Sequence, residues 1–531
     1  MNSRYIKKIS LTGVLAIALT SCINDLDRQP FYDVTSNVVY QSAAGYKQAL
    51  AKVYGSFATT GNNGPAGQGD LGGIDEGTSD FFRLFWNAEQ LPTDETITAW
   101  NGDAGLQDFH MMNWSADNPF LRGLFNRSYY QITLANEFLR ESTDSKLSSR
   151  GISGAEATEI KFQAAEARFL RAYQYWVLVD LFGNVPFVDE NSPIGASLPP
   201  QKDRVALFNY VESELKAIES LLKDPKTNEY GRADKAAAWA LLARLYLNAE
   251  VYTGTAKYAE AAVYAKKVIN AGYTLTPKYK DLFVADNNVA GKSEIILSIN
   301  YDGAKTQGYG GTTFLVNGSV GGSMDKNVSG TSSGWGGHRS TKNLPLQFPT
   351  PLSSPDKRAM FVDNDGMDIN EAKDVISFSK GYACIKFKNL KSDGSFSSNM
   401  STGFSDTDFP LFRLAEMHLI VAEVALRAGN TTEALAAVNT LRARAYETTA
   451  AGQLTTIDLN ELLNERSREL YWEGFRRTDL IRFHKFVEGS YLWPWKGGAP
   501  TGSSVQDYRN LYPLPSADVT ANPNLVQNPN Y

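Results

Sequence analysis

Among 531 residues there are only two cysteines and four histidines. So few soft and imidazole ligands leave little for a zinc or iron centre to be built from, and none of the spacings HExxH, CxxC or GxSxG occurs. His110, His338, His418 and His484 are scattered singly, which removes the usual anchors of metallohydrolase and serine-hydrolase readings. No apolar run long enough to cross a bilayer occurs, since the longest candidate, Ile9 to Leu19, falls well short of about 20 residues. Positive charge is also in short supply: the formal net charge is −6, so no basic face invites nucleic acid.

What the chain does have is ordinary globular composition, 43% hydrophobic and 21% charged, and enough length for a large core. It carries 26 Tyr, 27 Phe, 9 Trp and 43 Gly. Most such aromatics fill a core, but a surface share would suit a neutral, hydroxyl-rich ligand, whose apolar faces stack on rings. Arg4, Lys7 and Lys8 precede the apolar run Ile9–Leu19, which ends in Leu19-Thr20-Ser21-Cys22. This order of cationic, apolar and small residues reads as an export leader over residues 1–21. The tetrapeptide is similar to a bacterial lipobox, which makes Cys22 the expected lipid attachment point. Several acyl chains on one residue hold a protein stably at a membrane. Asp25 and Asp27 follow, as in leaders sorted to the outer face of the outer membrane. With Cys22 lipidated, Cys384 has no disulfide partner, and its Tyr382–Phe387 setting reads as a short strand with a buried thiol.

Apolar residues at helical spacing predict a long buried helix over 155–183 and a helical hairpin over 233–271. Leu419, Ala422, Glu423 and Leu426, then Gly429, then Glu433, Ala434, Val438 and Leu441 repeat a large-on-small pattern similar to a tetratricopeptide unit. The expected class is therefore mainly α, a tetratricopeptide-like helical scaffold with long irregular loops and a few short strands. Residues 22–531 read as a single domain. Two stretches, at about 52–130 and 284–410, are rich in turn formers and read as loop excursions, and the run from Gly308 to Gly337 is expected to contain no helix. Asp286-Asn287-Asn288 and Asp406-Thr407-Asp408 read as turn caps rather than calcium loops, and the acids beside Arg476, Arg477 and Arg482 predict internal ion pairing.

The lipobox, Glu166–Tyr173, Leu181–Phe187, Glu473-Gly474-x-Arg476-Arg477-x-Asp479-Leu480 and Asn522–Pro529 resemble the SusD/RagB family over essentially the whole chain. Further likeness at Asp75–Gly77, Glu89–Glu95, Gly231–Ala237, Tyr309–Gly311 and Trp495–Ala499 points to its starch-binding, outer-membrane member. The resemblance implies a surface-exposed lipoprotein without catalytic activity or cofactor. Its implied role is to capture starch or a related α-glucan and deliver it to a SusC-like TonB-dependent transporter. It carries over a glycan site of Trp100, Tyr309 and Trp335 as an aromatic arc with Arg83 bonding hydroxyls. Asp103 stands where the starch binder has an asparagine, with Asn101 as a nearby substitute donor, and Thr98 stands where it has a tryptophan. A missing platform at Thr98 is expected to weaken binding or shift it to another α-glucan. Three alternatives stay open: a binder of dextran, levan or laminarin, a protein that gates a transporter and binds glycan only weakly, and a glycosidase, which needs only two suitably separated carboxyls among 58 acidic residues.

Overall fold

The computed structural model describes residues 36–195, 198–364, 366–367 and 375–531. The expected leader 1–21 and Cys22 lie outside the described residues. No helix among the described residues is long and apolar enough to cross a membrane.

The frame is a set of packed helices, and several of them are started by a residue whose side chain satisfies free amide donors. Asp80 accepts from Arg83 N to open Phe81–Gln90, and Asn118, followed by Pro119 at the first helical position, opens Pro119–Glu141. Asp234, Asn430 and Asp458 do the same for Lys235–Leu247, Thr431–Ala445 and Leu459–Leu470. The long helix runs Gly154–Leu181 and stops at Gly183, whose positive φ of 75° lets its amide reach back to Leu178 O. It packs against Pro119–Glu141 on one side and Arg204–Ile218 on the other. Lys235–Leu247 and Tyr258–Ile269 form the expected hairpin, with the short helix Ala249–Thr253 taking up the long connection. Leu414–Arg427 and Thr431–Ala445 form the second hairpin, and Tyr258–Ile269 packs on Leu414–Arg427, so the two stack as tetratricopeptide units do.

Strands are few and short among the described residues. Four antiparallel pairs occur: Ile97–Thr98 with His338–Arg339, Val185–Pro186 with Gln201–Lys202, Ile295–Ile299 with Phe409–Arg413, and Phe361–Asp363 with Tyr382–Cys384. Cys384 is buried at the end of its strand, and burial pushes its thiol up to about 12, so it stays a thiol.

The two loop excursions hold more helix than their composition predicts. Phe81–Gln90 lies inside the first, with every residue buried, and Trp86 and Trp114 are core rather than loop aromatics. The Gly308–Gly337 run contains the buried helix Gly311–Gly318, contrary to expectation. Flanking glycines mask a five-residue apolar and threonine core, Thr312–Val316, and burial on all sides outweighs the weak local propensity.

The predicted internal pairing of the Glu473–Arg482 segment is realised in a large buried ionic network. Arg476 clasps Asp94 with both its Nε and Nη2 at 2.7 Å, and Arg482 pairs with Glu423 and Asp479. Arg413 holds Glu294, Glu469 and Glu473, while Arg358 and Arg444 also converge on Glu469. Asp286 and Asp406, expected as turn caps, accept instead from the Ser392 and Gly303 amides, 106 and 103 residues away, so they tie distant loops together rather than cap their own turns.

Candidate functional site

The strand Ile97–Thr98 ties the two excursions together, because its partner His338–Arg339 follows directly on the Trp335 loop. Beyond the pair, Ala99 N donates to Gly337 O at 2.7 Å and Trp100 Nε1 donates to Trp335 O at 3.0 Å. Gly337 is required here: a Cβ at that position would sit 2.3 Å from the Trp100 indole. Trp335 is held by its own amide on Asn317 O, 2.8 Å, and by its indole N–H on Ser333 Oγ, 3.0 Å.

Beneath these loops lies an aromatic floor. The His338 ring packs 4.5 Å from Phe314, 4.7 Å from Trp100 and 4.8 Å from Trp86, centroid to centroid. Burial and the nearby Arg83 and Arg339 cations hold this imidazole neutral, well below its ordinary pKa. His338 is thus a spacer in the core. His110 and His418 are pushed by burial to about 3 and about 4, and neither lines the cleft described below.

Arg83, only 5% exposed, rises from the helix Phe81–Gln90 through this floor. Its Nη1 donates to Tyr309 O at 3.1 Å and Gly77 O at 3.3 Å, its Nη2 lies 3.9 Å from Asp103 Oδ2, and its guanidinium sits 4.7 Å from the Phe314 centroid. The Asp75-Glu76-Gly77 sequence supports it indirectly. Asp75 accepts from Gly77 N and Thr78 Oγ1, shaping the turn that presents the Gly77 carbonyl. Gly310 lets the Tyr309 loop approach, since a Cβ there would lie 1.0 Å from Asp80 Oδ2.

Arg83, Ala99, Trp100, Asn101, Gly102, Asp103 and Trp335 line an open cleft of about 390 Å³. The rings continue past its edge. Trp100 and Trp335 are 6.4 Å apart and tilted by 47°, Trp335 and Tyr309 are 6.2 Å apart and tilted by 63°, and Tyr309, 40% exposed, leads on to Phe404 at 6.1 Å. Five of the six residues named from sequence therefore share the cleft, and Tyr309 extends the row. Phe404 was not anticipated, because nothing in Ser401–Ser405 marks it apart from other loop phenylalanines.

Thr98 departs from expectation. It is fully buried, its backbone pairs with His338, and its hydroxyl accepts from Trp100 N at 3.4 Å. It takes no part in the cleft wall.

Comparison with known proteins sets this geometry in a family. A family model described as "SusD family" matches residues 364–531, and one described as "Starch-binding associating with outer membrane" matches residues 75–247. The starch-binding protein SusD of Bacteroides thetaiotaomicron is 37% identical over 577 aligned residues, covering 100% of both chains. The chain belongs to the SusD family. Among solved structures, a SusD superfamily protein from Parabacteroides distasonis superposes with a TM-score of 0.70 at 20% identity, covering 94% of this chain and 100% of that one. A laminarin-binding SusD-like protein gives 0.68 at 22% identity, covering 92% and 99%. These likenesses establish the helical SusD-like fold.

Proposed function

We propose that this SusD-like protein captures starch or a closely related α-glucan at the Trp100–Trp335–Tyr309 row, without cleaving it. The observation that carries the reading is the successive tilt of the rings, 47° and then 63°. Rings inclined to one another follow a chain that curls, as α-glucans do, whereas a flat β-linked chain would meet only one of them face-on. Each indole or phenol covers the C–H face of a sugar, and a few fixed polar groups choose the hydroxyl pattern. Arg83 donates, Asp103 only accepts, and Asn101 does both. The name of the 37% identical relative supports the same ligand.

Binding without hydrolysis is supported by the carboxyl inventory. Asp103 is the one acid lining the cleft among the described residues, and it faces Arg83. Asp75, in the adjoining depression, spends its carboxylate on Gly77 N and Thr78 Oγ1. A glycosidase needs two carboxyls flanking one bond.

The same proposal places the chain at the cell surface of the outer membrane, anchored through Cys22 after loss of residues 1–21. From there, residues 22–531, acting as one domain, hand the oligosaccharide to a SusC-like TonB-dependent transporter. A second reading keeps the fold and changes the glycan, since a laminarin binder shares the architecture. Native gels containing amylopectin, pullulan, dextran, levan or laminarin separate the two. Retardation in amylopectin and pullulan is expected, and retardation only in the others would overturn the ligand. A reducing-sugar assay after prolonged incubation with starch is expected to stay flat, and released sugar would overturn the non-catalytic reading.

A further inference from the structure

A second pocket, sharing no residue with the glycan cleft, is walled by lysines. Lys278, Lys280, Lys357 and Lys388 line a concavity of about 310 Å³ together with Tyr279, Ala359, Met360, Phe361 and Ile385. Against these four cations the lining offers one acid, Glu447. Asp281 stands just outside, 3.8 Å from Lys280 Nζ. This is a concentrated positive charge on a chain whose net charge is −6.

The lysines are carried on anchored backbone. Lys357 N donates to Ala445 O at 2.8 Å, Lys388 N donates to Phe283 O at 2.9 Å, and Lys280 Nζ is steadied by Ser392 O at 3.0 Å. Among the described residues, none of Lys278, Lys357 and Lys388 forms an ion pair within 4.0 Å, although surface lysines elsewhere in the chain, such as Lys47 and Lys266, do. Lys388 is half-buried, and that burial together with the nearby Lys280 lowers its pKa, the behaviour of a cation without its counter-charge. Below them Met360, Phe361 and Ile385 supply an apolar floor, held by the strand pair Phe361–Asp363 and Tyr382–Cys384 and by Ile385 N on Met360 O.

A cationic rim over an apolar floor asks for a ligand with one apolar face and one negative group. The volume lies at the lower end of small-molecule pockets, which begin near about 300 Å³, and so admits a single sugar ring rather than a helix or a polymer end. We propose that this pocket is a second ligand site that takes a carboxylate-bearing sugar of the hexuronate type, its ring on Met360 and Phe361 and its carboxylate among the lysines. The site is independent of the α-glucan reading and survives its failure.

The test is a calorimetric titration of the full chain in non-ionic detergent with sodium glucuronate, with glucose and inorganic phosphate in parallel. Glucuronate is expected to bind, more weakly as salt is raised, and glucose to show no heat. The triple variant K278M/K357M/K388M keeps the apolar stems and is expected to weaken glucuronate binding by about ten-fold or more, with melting temperature and retardation by amylopectin unchanged. If the triple variant fails to fold, Lys357→Met alone, at an exposed position, is expected to weaken binding measurably. Absence of glucuronate binding, equal binding by the folded variants, or phosphate binding as tight as glucuronate would overturn the proposal, the last because a bare anion makes no use of the floor.

Discussion

Trp335→Ala is the most informative perturbation of the glycan cleft. The Trp335 indole makes one hydrogen bond, to Ser333 Oγ two residues away, so its removal leaves the loop's backbone anchors on Asn317 and Val320 in place. A pyranose laid on one indole face removes roughly 60–100 Å² of apolar surface from water, half or less of what a large aromatic side chain buries in full. At about 25 cal/mol per Å² the lost contact is worth about 1.5–2.5 kcal/mol. The dissociation constant for a linear malto-oligosaccharide should therefore rise roughly 10- to 60-fold. Trp100→Ala should cost more, because that indole also carries the hydrogen bond to Trp335 O and packs 5.5 Å from the Arg83 guanidinium. Titration calorimetry reads the affinity, and a thermal melt on the same sample shows that the fold persists. Affinity within about two-fold of the parent for both folded variants would refute the site, since the loss expected from one covered ring face is several times larger.

Other consequences can be checked alongside it. Arg83→Met leaves the Tyr309 and Gly77 carbonyls without their shared donor and should cost about 1.5–3 kcal/mol of affinity, read by the same titration. Gly310→Ala drives a Cβ into Asp80 and should displace the Tyr309 loop, lowering both the melting temperature and retardation by amylopectin. Although burial opposes ionisation of Glu469, the three guanidiniums of Arg444, Arg413 and Arg358 hold it well below the ordinary carboxylate range. Its contribution is complete above about pH 4.3 and lost as the pH falls toward the folded value. Glu469→Gln should destabilise by about 3–5 kcal/mol in urea unfolding near neutrality, because the arginines keep their charge. Glu95 behaves oppositely: burial pushes it up to about 7, so the folded state binds the extra proton and stability declines as the pH rises from about 4.3 toward that value. Glu95→Gln should flatten that decline when unfolding is compared at about pH 5 and about pH 8.

The helical frame was legible because its signals are local. Ala, Leu and aromatic residues at helical spacing outline Gly154–Leu181 and both hairpins to within two or three residues, and Asp234 and Asn430 cap one helix in each hairpin, Lys235–Leu247 and Thr431–Ala445. Glycine content misled at Gly311–Gly318, where burial among Arg83, Trp86 and His338 stabilises a helix that the isolated segment would not form. The ring row was read through family likeness, and its residues do meet in space although Trp100 and Trp335 are 235 positions apart. What the sequence could not display is which face each side chain takes. The burial of Thr98 follows from pairing with a strand 240 residues away, and Phe404 joins the row only because the 401–405 turn folds back beside Tyr309. The lysine pocket is likewise assembled from four separate segments and has no linear signature.

The fit of a row of tilted rings to a curved glucan is tested most directly by calorimetric titration of one preparation with α-cyclodextrin and with cellohexaose. Both are glucose hexamers, one closed into an α-linked ring and one an extended β-linked chain. Binding of α-cyclodextrin with no detectable heat from cellohexaose is the predicted result, and equal or tighter binding of cellohexaose would contradict it.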